Sequence, residues 1–393
     1  MVSVIQAPGS GSQAISDRAL VGILGVAGFL SAADNWVVAP LLPAIATGFG
    51  ISIPLAGAVI TAYLLPYGVM QPVCGFAGDQ FGKTRLLRIT LAGLALGTGA
   101  CALSGSFGML CFWRVITGFF ASGIVAVSLA AIGDFAPPQE RQAYVGRFMG
   151  MVFLGQGLSV GFGGALACFV NWRMVFMILA LLSCCASFRL RQLPASPQGR
   201  ESRRFFSEVL RVCLTSTGKV IFPLAFLTGF LLLGGYSFLG ACLHAEAGLG
   251  FFQVGLVVMC FGFACLFSGA RVGVISRSLG RRKTVIAGAG LALIAALLLA
   301  FVPRWPVGIL AAICLGMGYI GIQSTLATLA FDVAPESKGL PSALIGLGLF
   351  GGGGLGTDAG GWLLSLGHYQ TLWLALAAGM AAFIAICAAQ EFE

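Results

Sequence analysis

Three charged side chains fall inside long apolar stretches: Asp34, Arg114 and Asp358. A charge in hydrocarbon costs roughly 3 kcal/mol or more unless paired or solvated, so such positions often mark ion or substrate paths. Asp34, followed by Asn35, is a carboxylate able to take up and release a proton, or a fixed partner for a neighbouring helix. Arg114 can hold an anionic substrate, pair with Asp34 and modulate its proton affinity, or form a purely structural ion pair. Asp358 can serve as a second proton site, a cation ligand or a lock between packed segments. Neutral polar groups in the same stretches are candidates to line a cavity: Asn35, Tyr63, Tyr67, Gln71, Gln156, Tyr236, Gln253, Tyr319 and Gln323. The 31 Phe residues read as helix packing and lipid contact rather than as a pocket.

The elements that carry these groups follow from composition. The chain is 58% hydrophobic and 9% charged, against about a quarter charged in soluble domains. A spanning helix needs about 20 mainly apolar residues. Such stretches lie at 20–44, 53–77, 85–103, 108–132, 141–166, 172–190, 218–243, 251–275, 283–302, 307–331, 340–365 and 370–389. They are apolar on all faces, which excludes barrel strands. The expected fold is an all-α membrane protein, twelve transmembrane helices in two pseudo-symmetric six-helix bundles. The expected organisation is a tail at 1–19, a bundle at 20–190, a polar linker at 191–217 and a second bundle at 218–390. In the linker, Phe205, Phe206, Val209 and Leu210 would form one face of a short surface helix, or the segment is a plain tether. All Lys and Arg except Arg114, Arg173 and Arg304 fall in or beside one set of connecting segments. The positive-inside rule then puts both termini in the cytoplasm. The net charge of +9 reflects that bias and contact with anionic lipid heads, not nucleic acid.

Two loops repeat at one offset. Gly75-Phe76-Ala77-Gly78-Asp79-Gln80-Phe81-Gly82-Lys83 returns as Gly273-Val274-Ile275-Ser276-Arg277-Ser278-Leu279-Gly280-Arg281. The same offset pairs Asp134 with Asp332. A chain of two similar halves in a membrane points to a transporter with its site between them. Glycines gather in the fifth stretch (Gly146, Gly155, Gly163, Gly164) and the eleventh, where they let helices approach closely. The run of glycines at 351–354 lacks a following Gly-Lys-Ser/Thr, so it is not a phosphate loop, and energy must come from a gradient. The 12 cysteines are scattered, without metal-ligand spacing, and no cofactor is implied.

On these residues the chain resembles the major facilitator superfamily over nearly its whole length. The loop Gly75–Lys83 is similar to that family's signature between its second and third spans. The copy at Gly273 has Arg277 where the acid would stand. The resemblance implies a cytoplasmic gate built from Gly75, Asp79, Gly82, Lys83, Asp134, Arg277 and Asp332. It also implies that the Asp79 copy dominates, because the second copy offers only positive charge. Arg114-Val115-Ile116-Thr117-Gly118 and Asn171-Trp172-Arg173 resemble patterns of the drug:proton antiporter branch. So does the spacing Gly146, Gly155, Gly163-Gly164, although Ser159-Val160 replaces a Gly-Pro pair. The implied function is proton-coupled efflux of a small amphipathic or apolar compound by alternating access, with the proton as coupling ion. The alternative is an importer or facilitator of a metabolite, sugar or organic anion. A membrane-embedded enzyme or sensor has no nucleophile–base pair or signalling domain to support it. The implied setting is a bacterial-type inner membrane, as a monomer whose partners are its substrate and membrane lipid.

Overall fold

The computed structural model describes residues 17–135, 141–194, 205–333 and 339–390. These residues are helical throughout apart from short turns. Among the described residues, twelve helices are long and apolar enough to span a membrane. Spans 1 to 6 are Ala19–Trp36, Ile53–Gly78, Lys83–Ala102, Phe107–Phe135, Tyr144–Phe169 and Trp172–Gln192. Spans 7 to 12 are Gly218–Ala247, Phe251–Leu279, Arg281–Phe301, Trp305–Ala330, Leu340–Leu366 and Tyr369–Ala389. In lipid every backbone polar group needs an internal partner, so apolar length alone dictates helix here. The chain is an integral membrane protein.

Several spans depart from regular helices, spans 1, 7 and 11 among them. Span 1 stops at Trp36 and resumes as Val38–Phe49 rather than running on unbroken. Pro40 accounts for this: it has no N–H for the Trp36 carbonyl, and its ring clashes there. Spans 7 and 11 each contain one π-helical turn, Gly229–Leu233 and Leu347–Gly351. Such turns often sit at functional sites. The two spans pack backbone on backbone: a Cβ on Gly229 would meet the Leu349 carbonyl at 1.9 Å.

The first six spans meet the last six along span 5 with span 8, span 2 with span 11, and Val38–Phe49 with the end of span 7. The span 5–8 seam is the tightest. A Cβ on Gly262 would lie 2.2 Å from the Gly157 Cα, and one on Gly164 would lie 2.8 Å from the Gly255 Cα. Toward the side that carries both chain ends the seam parts. Around Gly146 and Gly150 on span 5 and Gly273 on span 8, nothing lies within 4 Å of an added Cβ. Val274, Ile275 and Leu279 of span 8 are exposed there. Between spans 5 and 8 the halves therefore meet on the far side and part on the terminal side, while the terminal-side start of span 11, Gly339–Gly346, still packs on spans 2 and 4. Gly146, read from sequence as a packing glycine, touches no neighbour in this arrangement, whereas Gly155, Gly163 and Gly164 do.

The repeated loops have a common geometry. Gly82 and Gly280 adopt φ of 89° and 88°, a backbone state that side chains disfavour. Each glycine turns the chain into the next span, and the residue after it forms an ion pair. Lys83 Nζ lies 2.5 Å from Asp134 Oδ2, and Arg281 Nη1 lies 2.6 Å from Asp332 Oδ2. Here the cation stands at a helix start and the acid at a helix end, each unfavourable for the helix dipole. Pairing them offsets both. The expectation that the second half offers only positive charge is corrected: Asp332 supplies the acid from span 10's end. Both pairs lie within one half, so in this state neither ties the halves together. The side chain of Asp79 lies outside the described residues, and Arg277 is exposed. Arg88 and Arg282 donate to the last carbonyls of spans 6 and 12, at Leu190, Leu193, Cys387 and Ala388.

A linker helix, Phe205–Cys213, is present. It does more than lie on the surface. The Phe205 ring is 5.2 Å from that of Phe76 in span 2, while Val212 is buried against Leu344 in span 11. The Asn171-Trp172-Arg173 pattern also has a structural task. Asn171 Oδ1 accepts from the Arg173 N–H at 2.9 Å as the N-cap of span 6, and Arg173 donates to the Ser104 carbonyl.

Two substitutions test the seam. Gly262→Ala should lower the melting temperature in detergent, because overpacking costs about 1–3 kcal/mol, while Gly273→Ala should leave it unchanged or raise it. Equal effects at the two sites would contradict the seam as described. Lys83→Gln and Arg281→Gln should each lower stability by about 1 kcal/mol or less, since both pairs are partly wet. A thermal melt in which only Lys83→Gln registers would contradict the symmetric arrangement.

Candidate functional site

Asp34 sits near the end of span 1, just before the break at Val37. Span 4 brings Arg114 against it: Nη1 lies 2.9 Å from Asp34 Oδ2. Span 3 brings Thr98, whose hydroxyl donates to Asp34 Oδ1 at 2.9 Å. Both guanidinium Nη atoms also reach the Asp34 main-chain carbonyl at 3.4 Å. The two charged side chains are each 1% exposed. Three spans thus converge on one carboxylate, and the buried site has no net charge.

Beneath the pair lies an aromatic floor. The Arg114 guanidinium carbon is 4.1 Å from the Tyr63 ring centroid and 5.7 Å from that of Phe176. A cation over an aromatic face is attracted by the ring quadrupole, most strongly when desolvated. Arg114 Nε and the Tyr63 hydroxyl are buried without a hydrogen-bond partner. Leaving such groups unsatisfied costs about 1–3 kcal/mol each. The site therefore holds polar capacity that the ion pair does not use.

Two aromatic routes lead from this cluster to the other half. Tyr63 stacks on Tyr67 at 5.5 Å, and Tyr67 meets Phe350 of span 11 edge-on at 4.6 Å. Trp36 contacts Tyr236, Phe261 and Tyr319, of spans 7, 8 and 10, at 5.1, 5.2 and 6.0 Å. A small cavity lies between these routes. Asn35, Trp36, Ile60, Leu64 and Ala39 line it from the first half, and Leu233, Tyr236, Ser237 and Phe350 from the second. The buried Tyr236 hydroxyl also lacks a partner. The cavity measures about 20 Å³, room for one water in this state, and its lining is mostly apolar with a few polar groups, the composition of ligand sites.

The other sequence candidates are distributed around this centre. Gln71 is buried with its Oε1 filling the space a Cβ on Gly346 would need. Gln156 approaches Cys265 of span 8, Nε2 to Sγ 3.8 Å, across the seam. Gln323 is partly buried on span 10. Gln253 is not in the cavity: it is exposed and caps span 8, accepting from the Gly250 N–H at 2.9 Å. Asp358 does not join Asp34 and Arg114. It is exposed on span 11 and accepts from the Thr61 hydroxyl of span 2 at 2.9 Å, a bond between the halves. Among the described residues no group of acids, His and Cys could hold a metal ion.

Sequence reading missed Thr98, Trp36, Phe350 and Phe261. Thr98 carried no distinguishing signal. Trp36 did, as a large aromatic directly after Asp34 and Asn35 and before a proline-marked break.

Residues 24–357 match the family described as Major Facilitator Superfamily. A relative from Bacillus subtilis (strain 168), "Uncharacterized MFS-type transporter YceJ", is 27% identical over 349 residues, 85% of this chain and 86% of its own. "Multidrug transporter AQR1" of Candida glabrata is 30% identical over 171 residues, 44% of this chain. "Efflux pump dotC" of Dothistroma septosporum is 34% identical over 155 residues, 39% of this chain. The matched regions span only 29% and 27% of those two relatives' own lengths. Among solved structures, the nucleoside transporter NupG superposes with a TM-score of 0.78 at 14% identity, over 94% of this chain and 99% of the other. A bacterial homologue of human lysosomal Spinster, described as inward-facing and unoccupied, gives 0.66 at 18% identity, over 94% of both chains. The fold is that of these transporters, and the chain belongs to the major facilitator superfamily: it is a secondary transporter of small molecules, not an enzyme.

Proposed function

We propose that the protein exports a small, partly apolar compound in exchange for protons, and that Asp34 is the proton carrier. The observation that carries this reading is the fully buried Asp34–Arg114 pair beside the cavity between the halves. Ionised and paired, the site is neutral. A proton on Asp34 removes the counter-charge, and the buried guanidinium must then find another partner or water. That change in charge is what a conformational switch can read, because protonation alters the relative energy of the two states.

The direction of coupling is consistent with the state described. The ion pair is formed while spans 5 and 8 are parted on the terminal side. If that side is cytoplasmic, as the distribution of basic residues argues, Asp34 has already released its proton inward, and the cavity, about 20 Å³ in this state, widens to admit substrate as the halves part further. Opening to the far side would then let a proton reach Asp34, break the pair and expel the substrate. The halves that rock are assigned to 20–190 and 218–390, tethered by 191–217, in a bacterial-type inner membrane, the chain acting as a monomer. Asp358, bonded to Thr61 across the halves, is assigned to the far-side closure rather than to proton transfer. Efflux is supported by relatives named as a multidrug transporter and an efflux pump. Import of an organic anion is the second reading. It is favoured by Ser159-Val160, which lets span 5 run unbroken where the antiporter pattern has Gly-Pro.

Asp34→Asn should abolish pH-gradient-driven transport in vesicles while leaving substrate counterflow measurable. Normal proton-driven rates in this variant would sink the assignment. Export further requires substrate to move against the inward proton flow; co-movement would establish the import reading. Removing one partner of a buried ion pair costs about 3–5 kcal/mol. Arg114→Gln alone should therefore melt well below Asp34→Asn/Arg114→Gln, and equal melting of the single and double variants would mean the charges do not interact.

A further inference from the structure

Arg271 is a charge that the proposed transport cycle does not use. It lies on span 8, about 12 Å before the helix end at Leu279, at 1.5 Å per residue. Its face is not the one that meets the other half. That seam runs through Gly255, Gly262 and Gly269, spaced to lie in one row. At 100° per residue Arg271 points to the opposite side of the helix. There it lines a groove of about 530 Å³ between spans 8, 9 and 10, with apolar walls that include Phe263, Phe267, Ile275, Leu291 and Met317. Phe267 is 60% exposed and Met317 41%, so the groove opens outward, toward where acyl chains lie.

Among the described residues no acid or carbonyl pairs with Arg271. The repeat argues that this charge is not a requirement of the fold. Arg271 stands two residues before Gly273, and Val73 stands two before Gly75, equally outward-facing at 40% exposure. One half thus has an apolar residue at a lipid-facing position where the other has a cation. The depth suits a headgroup. The 29-residue helix is about 43 Å long, against a hydrocarbon core of about 30 Å, so its end projects among the headgroups. Arg271 then lies near the core boundary, where an arginine can extend its guanidinium toward a phosphate.

We propose that this groove binds one anionic glycerophospholipid from the leaflet on the terminal side, an acyl chain along the Phe263–Phe267 wall and its phosphodiester on Arg271. The charge complementarity commits the site to an anionic lipid: the groove is apolar along its length and carries a single unneutralised cation at the headgroup end. Arg277, exposed nearer the helix end, adds positive potential without lining the groove.

The test uses the full chain, purified and delipidated in detergent, with its melting temperature read after adding phosphatidylglycerol or phosphatidylcholine. Phosphatidylglycerol should stabilise more. Arg271→Gln should remove that excess, and Arg277→Gln should retain most of it. Ala287→Phe, which fills the groove and keeps the charge, should remove it too, and so serves if Arg271→Gln does not fold. Equal stabilisation by both lipids overturns the proposal. So does an excess that survives either groove substitution.

Discussion

Two opposite charges held 2.9 Å apart in a place without water constrain much of this molecule. Neither can be left alone there: an unpaired buried ion costs several kcal/mol after all relaxation. Span 1 must therefore stay registered with span 4, and span 3 must supply Thr98 at the right height to satisfy the second carboxylate oxygen. Tyr63 of span 2 closes the site from below by offering its ring face to the cation. Four spans of the first half are thus fixed by one polar cluster, in a medium where apolar contact between helices supplies no hydrophobic drive. The second half has no buried ion pair of this kind among its described residues. Its order comes instead from glycine-lined contacts, such as those joining spans 7 and 11.

That difference suits two bodies that must separate and rejoin. Glycine seams between the halves bring backbone against backbone over much of their length, with few side chains across them, such as Gln156 against Cys265 and Gln71 against Gly346. Gly157 and Gly262 touch, yet a few turns further along the same helices Gly150 and Gly273 stand clear. A seam of this kind can peel from one end with few side chains to withdraw. The aromatic contacts at Trp36 and Phe350 provide the opposite property. They hold the halves together at the level of the cavity, where a substrate would compete for the same ring faces.

Much of the fold was legible because the membrane allows one solution for each apolar stretch. Eleven of the spans end within a few residues of their expected limits, while span 1, expected to run to 44, breaks after Trp36. Asp34 and Arg114 stood out because charges in such stretches are rare, and the structure brings those two together. Their surroundings were less visible. Thr98 is one hydroxyl among many in the spans, and nothing local says that it faces a carboxylate. Tyr63 was read as a cavity group, but its ring is beneath the guanidinium. Gln253 was misread for a different reason: three residues after the start of span 8 a Gln can reach back to the free N–H of the capping residue, here Gly250, the half of a capping box that needs no side chain at the cap. The Arg281–Asp332 pair was readable, since the offset that aligns the glycine loops also aligns Lys83 with Arg281 and Asp134 with Asp332. Comparing only the position of Asp79 with Arg277 concealed it.

On the proposed reading, coupling and selectivity come from different physics, which explains how they can reside so close together. The proton is read by desolvation: adding it to Asp34 changes the charge of a dry site whatever molecule occupies the cavity. The substrate is read by a wall of Trp36, Leu64, Tyr236, Leu233 and Phe350, with Asn35 and Ser237 as neutral polar groups. Such a wall rewards apolar area and shape, and it carries no charge with which to demand a particular ion. A compound need only be small enough to fit and apolar enough to gain from the rings. Specificity for one molecule would need buried polar groups that suffer when unpaired. The unpartnered Tyr236 hydroxyl is a group of that type at the cavity, so a substrate carrying one hydrogen-bonding group opposite it would be preferred over a pure hydrocarbon. The binding surface thus favours amphipathic compounds, while the driving force depends only on whether Arg114 has its partner.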